Sequence, residues 1–249
     1  MDYENHNGVM RSGKIALYNM DCMELLRQTP DKYYSLCVVD PPYGIGESRN
    51  VRGGTQFGNA AAPSKDYGSK DWDLSAPNED YFFELARVSK NQIIWGANHF
   101  AERIARGSSC WVVWDKMTGT NGYADCELAY TSFQTAVRQF RFQWAGMLQG
   151  NMAKKESRIH PTQKPVALYE WLLTNYAKPG QRILDTHLGS GSSAIAAHNL
   201  GFDFVGTELD TDYYAAAVKR FEAHKAQACL FQPDDYDRVT RDEFQESFL

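Results

Sequence analysis

Asp40-Pro41-Pro42-Tyr43-Gly44 follows directly on the apolar run Leu36-Cys37-Val38-Val39. A run rich in β-formers that stops at two prolines reads as a buried strand ending in a rigid loop, because neither proline can donate to a sheet ladder. In an open α/β sheet, ligands bind beyond the carboxyl ends of the strands, where such a loop sits. Asp40 offers carboxylate acceptors there, the peptide carbonyls of Asp40 and Pro41 offer more, and Tyr43 offers a flat face with a polar tip. Together they suit a planar group that carries an exocyclic amine. A proline-stiffened turn with Asp40 as a cap would show the same tetrapeptide.

A second constellation lies far downstream. Gln181-Arg182-Ile183-Leu184-Asp185 reads as a strand running into Thr186-His187-Leu188-Gly189-Ser190-Gly191, with a helix after it. Strand, glycine-rich turn and helix form a nucleotide-binding opening: glycines let the backbone approach a ligand, and the helix start presents unpaired amides. Glu208 follows the next strand-like run, about twenty positions on, where an acidic side chain can hold ribose hydroxyls. The turn is not the dinucleotide form, because Ala194 stands where a third glycine would be. A generic nucleotide site would fit this segment taken alone.

These residues need elements to position them. The pattern predicts a strand over 14–18, a helix over 23–28, an amphipathic helix over 79–88, and strands over 92–96, 111–114 and 126–130. It also predicts a helix over 99–105, a helix over 166–176 introduced by His160-Pro161-Thr162-Gln163-Lys164-Pro165, a strand over 202–205 and a helix from about residue 211. Residues 45–77 are polar and glycine-rich with scattered lysine and arginine, which suits either a mobile DNA-facing loop or a solvated one. Residues 133–158 mix Phe140, Phe142 and Trp144 with Arg138, Arg141, Lys154, Lys155 and Arg158. A DNA-facing surface and a partly buried hairpin with a solvated rim would both look like this. The last stretch begins as a helix and ends in mixed charge, as a solvated tail or an edge-covering segment would.

Composition bounds the answer. With 249 residues, 43% of them hydrophobic and 23% charged, the chain can bury one substantial core. No apolar run approaches membrane-spanning length, and the polar start lacks a signal-peptide core, so a cytoplasmic protein without a membrane partner is expected. Cys22, Cys37, Cys110, Cys126 and Cys229 are scattered without close pairs, the pattern of reduced thiols and not of a disulfide frame or a zinc site. A net charge of −5 means that any nucleic acid must meet a confined basic patch.

Asp-Pro-Pro-Tyr after a hydrophobic strand resembles the catalytic motif of the amino-methylating DNA methyltransferases, which act on adenine N6 or cytosine N4. The resemblance extends over most of the chain, to small phage-type and bacterial members. It implies a catalytic set of Asp40, Pro41, Pro42 and Tyr43. In that family the Asp side chain and the first proline's carbonyl accept from the target amine while the aromatic ring stacks on the extruded base. The glycine turn resembles the family's S-adenosylmethionine motif, and 160–165 resembles the segment preceding it. The implied cofactor set is Asp21, His160, Lys164, Asp185, Gly189, Ser190, Gly191 and Glu208, with Asp21 near the cofactor's adenine. Asp21 would serve equally as a helix cap. Thr186-His187 replaces the family's usual Pro-Phe after the Asp. No Pro-Cys pair is present, which the cytosine-C5 enzymes would need for their thiolate nucleophile.

The catalytic motif lies upstream of the cofactor motif, which resembles the β class. It implies one α/β domain: a three-layer, mostly parallel, seven-stranded Rossmann-like sheet, circularly permuted, in which Asp40 and Asp185 head neighbouring parallel strands. Stretches 45–77 and 133–158 are then the variable, DNA-facing segments, the latter a small target-recognition element. The implied activity is direct methyl transfer from S-adenosylmethionine to adenine N6 in duplex DNA after base flipping. Adenine is preferred because the family more often carries Asp at the motif head in adenine enzymes and Ser in cytosine-N4 enzymes. Cytosine N4 stays as the alternative, followed by an inactive nucleic-acid-binding module and by RNA- or protein-directed transfer. A homodimer and a restriction-endonuclease partner are left open by the sequence.

Overall fold

The computed structural model describes residues 8–46, 73–104, 106–118, 124–145, 148–153 and 155–228. Nine strands form one sheet among these residues, in the order β1-β2-β11-β10-β3-β4-β6-β5-β7. The strands are β1 (Val9–Ser12), β2 (Ile15–Asn19), β3 (Tyr34–Val39), β4 (Ser89–Trp95), β5 (Trp111–Asp115), β6 (Cys126–Thr131), β7 (Arg138–Arg141), β10 (Arg182–Asp185) and β11 (Asp203–Glu208). A separate hairpin pairs β8 (Trp144–Ala145) with β9 (Leu148–Gln149). The seven strands from β2 to β5 are the expected sheet, and β1 and β7 extend it at its two edges.

β2, β11, β10, β3 and β4 run parallel, and β6 is antiparallel to both β4 and β5. Ile183 and Leu184 of β10 pair with Leu36 and Cys37 of β3, so the strands leading to Asp185 and Asp40 are neighbours, as expected. In chain order β10 and β11 come last, yet they lie between β2 and β3. That arrangement is the permutation.

Among the described residues five α-helices complete the layers: α1 (Cys22–Gln28), α2 (Glu79–Val88), α3 (Val166–Tyr176), α4 (Ser192–Asn199) and α5 (Thr211–Ala228). Strand side chains alternate between the two faces. Leu36 and Val38 pack with residues of α3, α4 and α5 on one face, while Cys37 and Val39 pack with residues of α1 and α2 on the other. α2 has the apolar spacing and the cap its sequence promises: Tyr81, Phe82, Leu85 and Val88 are buried, and the Asn78 side chain accepts from the Tyr81 N–H.

Two local expectations fail. Residues 99–105 do not form an α-helix; two single 3-10 turns, Ala97–His99 and Ala101–Arg103, occupy the stretch. Gly96 enters the first in a left-handed conformation (φ 66°), and the Arg103 guanidinium donates to the Pro77 carbonyl at 2.6 Å, which holds the segment as a wrapped connection. β1 was not foreseen. It is a short strand closed onto β2 through Gly13 (φ 57°), whose turn signal is one residue long.

Candidate active site

Parallel strands deliver their ends to a common edge, and this sheet delivers acids. Asp21 follows β2, Glu208 ends β11, Asp185 ends β10 and Asp40 follows β3, on four consecutive strands. Beyond them the same edge carries Gly96 after β4, Glu127 near the start of the antiparallel β6, and Lys116 after β5.

Asp40 is held at both carboxylate oxygens. The Tyr43 hydroxyl donates to Oδ1 at 2.7 Å and the Lys164 ammonium to Oδ2 at 2.5 Å. Lys164 also reaches the Tyr43 hydroxyl at 3.1 Å and Glu127 Oε2 at 3.1 Å, and Glu127 Oε1 meets Lys116 Nζ at 2.5 Å. Charge alternates along the chain of contacts: Asp40, Lys164, Glu127, Lys116. The Lys164 side chain is only 3% exposed, and its ammonium lies 5.6 Å from the ring centres of both Tyr43 and Trp95.

Burial pushes the Asp40 carboxyl above its ordinary value, with Lys164 opposing and Glu127 adding to the rise. Burial also works against the charged form of Lys164, but Asp40 and Glu127 outweigh it and hold the ammonium above its usual value. Glu127 is driven up by burial and down by Lys164 and Lys116; the lysines win and hold it at about 2. Glu127 and Lys164 are therefore both ionised at neutral pH.

Sequence resemblance set Lys164 among the cofactor residues. The structure places its ammonium on the Asp40 loop and its backbone beside the glycine turn, where its carbonyl accepts from Ser192 Oγ at 2.7 Å. Glu127 and Lys116 carry no local motif, and only the fold brings them to the site.

Tyr43 is set by sterics as well as by its hydroxyl. Its ring stacks on His99 at 5.0 Å with planes 15° apart. A Cβ on Gly96 would overlap the Tyr43 ring, and Gly96 already sits at positive φ. Gly96→Ala is expected to lower stability by about 1–2 kcal/mol, from the left-handed backbone alone, and to dislodge the ring from Asp40. Thermal unfolding reads the first effect. An unchanged midpoint would mean that the ring and turn relax without cost.

The loop's far side is also pinned. Asp73, 2% exposed, accepts from the Gly44 N–H through Oδ1 at 2.9 Å, and its carbonyl accepts from Gly46 N–H at 3.0 Å. A Cβ on Gly44 would lie 2.7 Å from the Ala76 nitrogen. Most of the stretch 45–77 lies outside the described residues, but its two ends meet here, beside the catalytic loop.

At the glycine turn, Asp185 is spent on shaping the loop: Ser193 Oγ donates to one oxygen at 2.6 Å and the His187 N–H to the other at 3.0 Å. Burial raises its carboxyl to about 7, opposed by those two donors. Gly189 and Gly191 are both left-handed (φ 51° and 76°). Glu208 accepts from the Gly189 N–H at 2.8 Å and the Asp210 N–H at 3.0 Å, one per oxygen, so each oxygen keeps a lone pair for a further donor. Ser190 lies buried in the turn, its Oγ 3.0 Å from Ser192 Oγ and its carbonyl bound by Arg220. His160 packs edge-on against Tyr213 at 4.3 Å and lies across from Gly189, where a Cβ would meet nothing nearer than the His160 ring at 3.8 Å. Asp21 caps α1, accepting from Met23 N–H at 2.8 Å, at the end of the strand paired with β11.

His187 stands where the family pattern carries an aromatic residue. Its ring meets Tyr81 edge-on at 5.4 Å, and its Nδ1 lies 2.9 Å from Thr186 Oγ1, which in turn lies 2.7 Å from the Tyr81 hydroxyl. Burial lowers the imidazole to about 4, so it is a neutral ring at pH 7.

In 133–158 the aromatic residues turn inward. Trp144 is buried, Phe140 and Phe142 stack on each other, and Phe140 packs on Trp171 of α3. Arg141 pairs with Asp115, and Arg158 lies 4.8 Å over the Trp144 ring. The rim keeps exposed Val137, Arg138, Leu148, Met152 and Lys155; Lys154 is outside the described residues.

A mostly parallel sheet with Asp40 and the glycine-turn Asp185 on adjoining strands defines the class: a permuted, Rossmann-like methyltransferase fold. Solved structures share it. The cytosine-N4-specific PvuII DNA methyltransferase superposes with a TM-score of 0.58 at 14% identity, covering 94% of this chain and 96% of that one. The complex of M1.HpyAVI with S-adenosylmethionine superposes at 0.53 and 17% identity, covering 83% and 98%. The family model described as DNA methylase, for N6 and N4 enzymes, matches residues 107–219, a span that includes Glu127, Lys164, Asp185 and Glu208. The methylase YubD of Escherichia coli (strain K12) is 27% identical over 219 residues, 82% of this chain and 88% of that one. Residues 107–219 are thus similar to the N6/N4 DNA methylase family, and the chain as a whole shares the fold of DNA methyltransferases.

Proposed function

We propose that the protein transfers a methyl group from S-adenosylmethionine to adenine N6 in duplex DNA, acting on a base turned out of the helix. The observation that carries this reading is the Asp40 loop, held by Lys164 one strand away from the glycine turn. When bound, S-adenosylmethionine supplies an electrophilic methyl group. The residues present suit it: Glu208 has acceptor capacity for ribose hydroxyls, the left-handed Gly189 keeps the turn's backbone bare opposite His160, and Asp21 follows the strand beside Glu208.

The chain's own work is positional. A nucleobase amine is a poor nucleophile because its lone pair is delocalised into the ring. Asp40 and the Pro41 carbonyl would each hold one N–H, favouring a pyramidal nitrogen whose lone pair points outward. Pro41 and Pro42 keep that carbonyl fixed, since neither can join a ladder. Tyr43 offers a face for the flipped base and offsets part of the lost stacking, a matter of a few kcal/mol. Lys164 opposes the rise that burial imposes on the Asp40 carboxyl and holds it in place. The exposed Arg138 and Lys155 on the rim of 133–158 would meet the duplex backbone.

The test is transfer of labelled methyl from S-adenosylmethionine to unmethylated duplex DNA, followed by digestion to nucleosides. Label is expected on N6-methyladenine. Label on N4-methylcytosine would overturn the base assignment while preserving the loop chemistry, because both bases present an exocyclic amine. Cofactor binding without label would overturn the catalytic reading.

A further inference from the structure

The proposed chemistry uses Asp40, yet the structure spends a second acid on the same lysine. Lys164 is shared: it donates to Asp40 Oδ2 at 2.5 Å and forms an ion pair with Glu127 Oε2 at 3.1 Å, outside hydrogen-bond geometry. Glu127 comes from β6, two strands from β3, and touches neither the glycine turn nor the Asp40 loop's backbone in any hydrogen bond of the described residues. A buried lysine needs only one carboxylate to neutralise it. A second one, itself tethered at 2.5 Å by Lys116, needs another reason.

We infer that Glu127 is a positioning residue that divides the Lys164 ammonium, so that Asp40 is anchored by it without being quenched as an acceptor for the substrate amine. The inference rests on the methyl-transfer reading of this site. An unshared ammonium would draw electron density from Asp40 and weaken its hydrogen bond to the amine; a shared one fixes the carboxylate's place and leaves it basic. The groups facing Asp40 are Tyr43 from its own loop, Lys164 from the segment before α3, and Glu127 from β6, with Asp185 of β10 and Tyr169 of α3 at longer range. Lys116, just after β5, acts through Glu127.

Signs follow for two opposite variants. Glu127→Gln removes a negative charge that raises the Asp40 carboxyl, so Asp40 should titrate at lower pH than in the wild type. Lys116→Met removes a positive charge from the far end of the chain, so Asp40 should titrate at higher pH. Carboxyl-carbon NMR of the protein with labelled aspartate reads both directly, without any need for turnover. Plateau turnover of Glu127→Gln should fall roughly tenfold, with its acid limb moved to lower pH and KM for DNA little changed. Glu127→Asp should recover part of the loss.

A merely structural Glu127 would still shift the Asp40 titration by its charge, but a folded Glu127→Gln variant would then keep its plateau turnover, and an unchanged plateau overturns the inference. Shifts of the same sign, or none, overturn the inference. Should Glu127→Gln fail to fold, the direction found in Lys116→Met decides alone. Absence of label on DNA with the wild type would count against the methyl-transfer reading, and the opposite NMR shifts would still be judged separately.

Discussion

Asp40→Ala is expected to reduce methyl transfer on the order of 10³-fold, equivalent to about 4 kcal/mol of barrier, while S-adenosylmethionine binding changes by no more than a few-fold. Deleting the carboxylate removes the acceptor aimed at the amine, yet it does not strand a charge. Lys164 keeps Glu127 at 3.1 Å, and its backbone keeps the Ser192 contact that ties it to the glycine turn. Burst kinetics and equilibrium cofactor binding, measured on the same preparation, separate the two effects. Turnover within tenfold of the wild type would remove Asp40 from the chemistry and leave Tyr43 and the Pro41 carbonyl to explain it.

Lys164→Met should do the opposite kind of damage. Methionine fills similar space but leaves Asp40 and Glu127 facing each other without the cation between them. Breaking a buried pair by removing one member costs about 3–5 kcal/mol, because the remaining charge is uncompensated. For a chain of this size that is a fall in thermal midpoint of about 10 °C. The deficit has a pH signature. Asp40 already titrates above its ordinary value, and loss of its cation raises it further. A carboxyl whose folded value is raised contributes stability that is present at low pH and lost as pH rises through that value. The variant's deficit should therefore be smaller near pH 5 than near pH 8 in denaturant titrations. A pH-independent deficit would mean that Lys164 acts through packing against Tyr43 and Trp95.

The elements that sequence made legible are those marked at their own ends. α2 starts at Asn78 and carries its apolar stripe within ten residues, and α3 starts at a proline. The strand before Asp40 is closed by its prolines. The acids at the carboxyl edge were legible because each sits just after an apolar run, and the family resemblance joined them into one site. What was not legible depends on distance along the chain. Asp40 and Lys164 are 124 residues apart, and nothing near Lys164 says that its ammonium turns toward the catalytic loop and not the cofactor turn. Glu127 looks like the polar first step of a strand. Its partners become neighbours only when β6 runs antiparallel between β4 and β5, which no local pattern announces. The 97–103 turns failed for the reverse reason: local helix-like spacing yielded to Gly96, whose backbone must clear Tyr43.

The anchor at Asp73 has a consequence for how such a site can diversify. Gly44 and Gly46 both donate to Asp73, so positions 46 and 73 are fastened together beside Asp40. Closing a chain whose ends are already together costs little more for extra length, about 0.6 kcal/mol per doubling. The number of residues joining the two positions can thus change at small cost to the carboxylate a few residues away, and variation in sequence there is uncoupled from inheritance of the loop that holds Asp40.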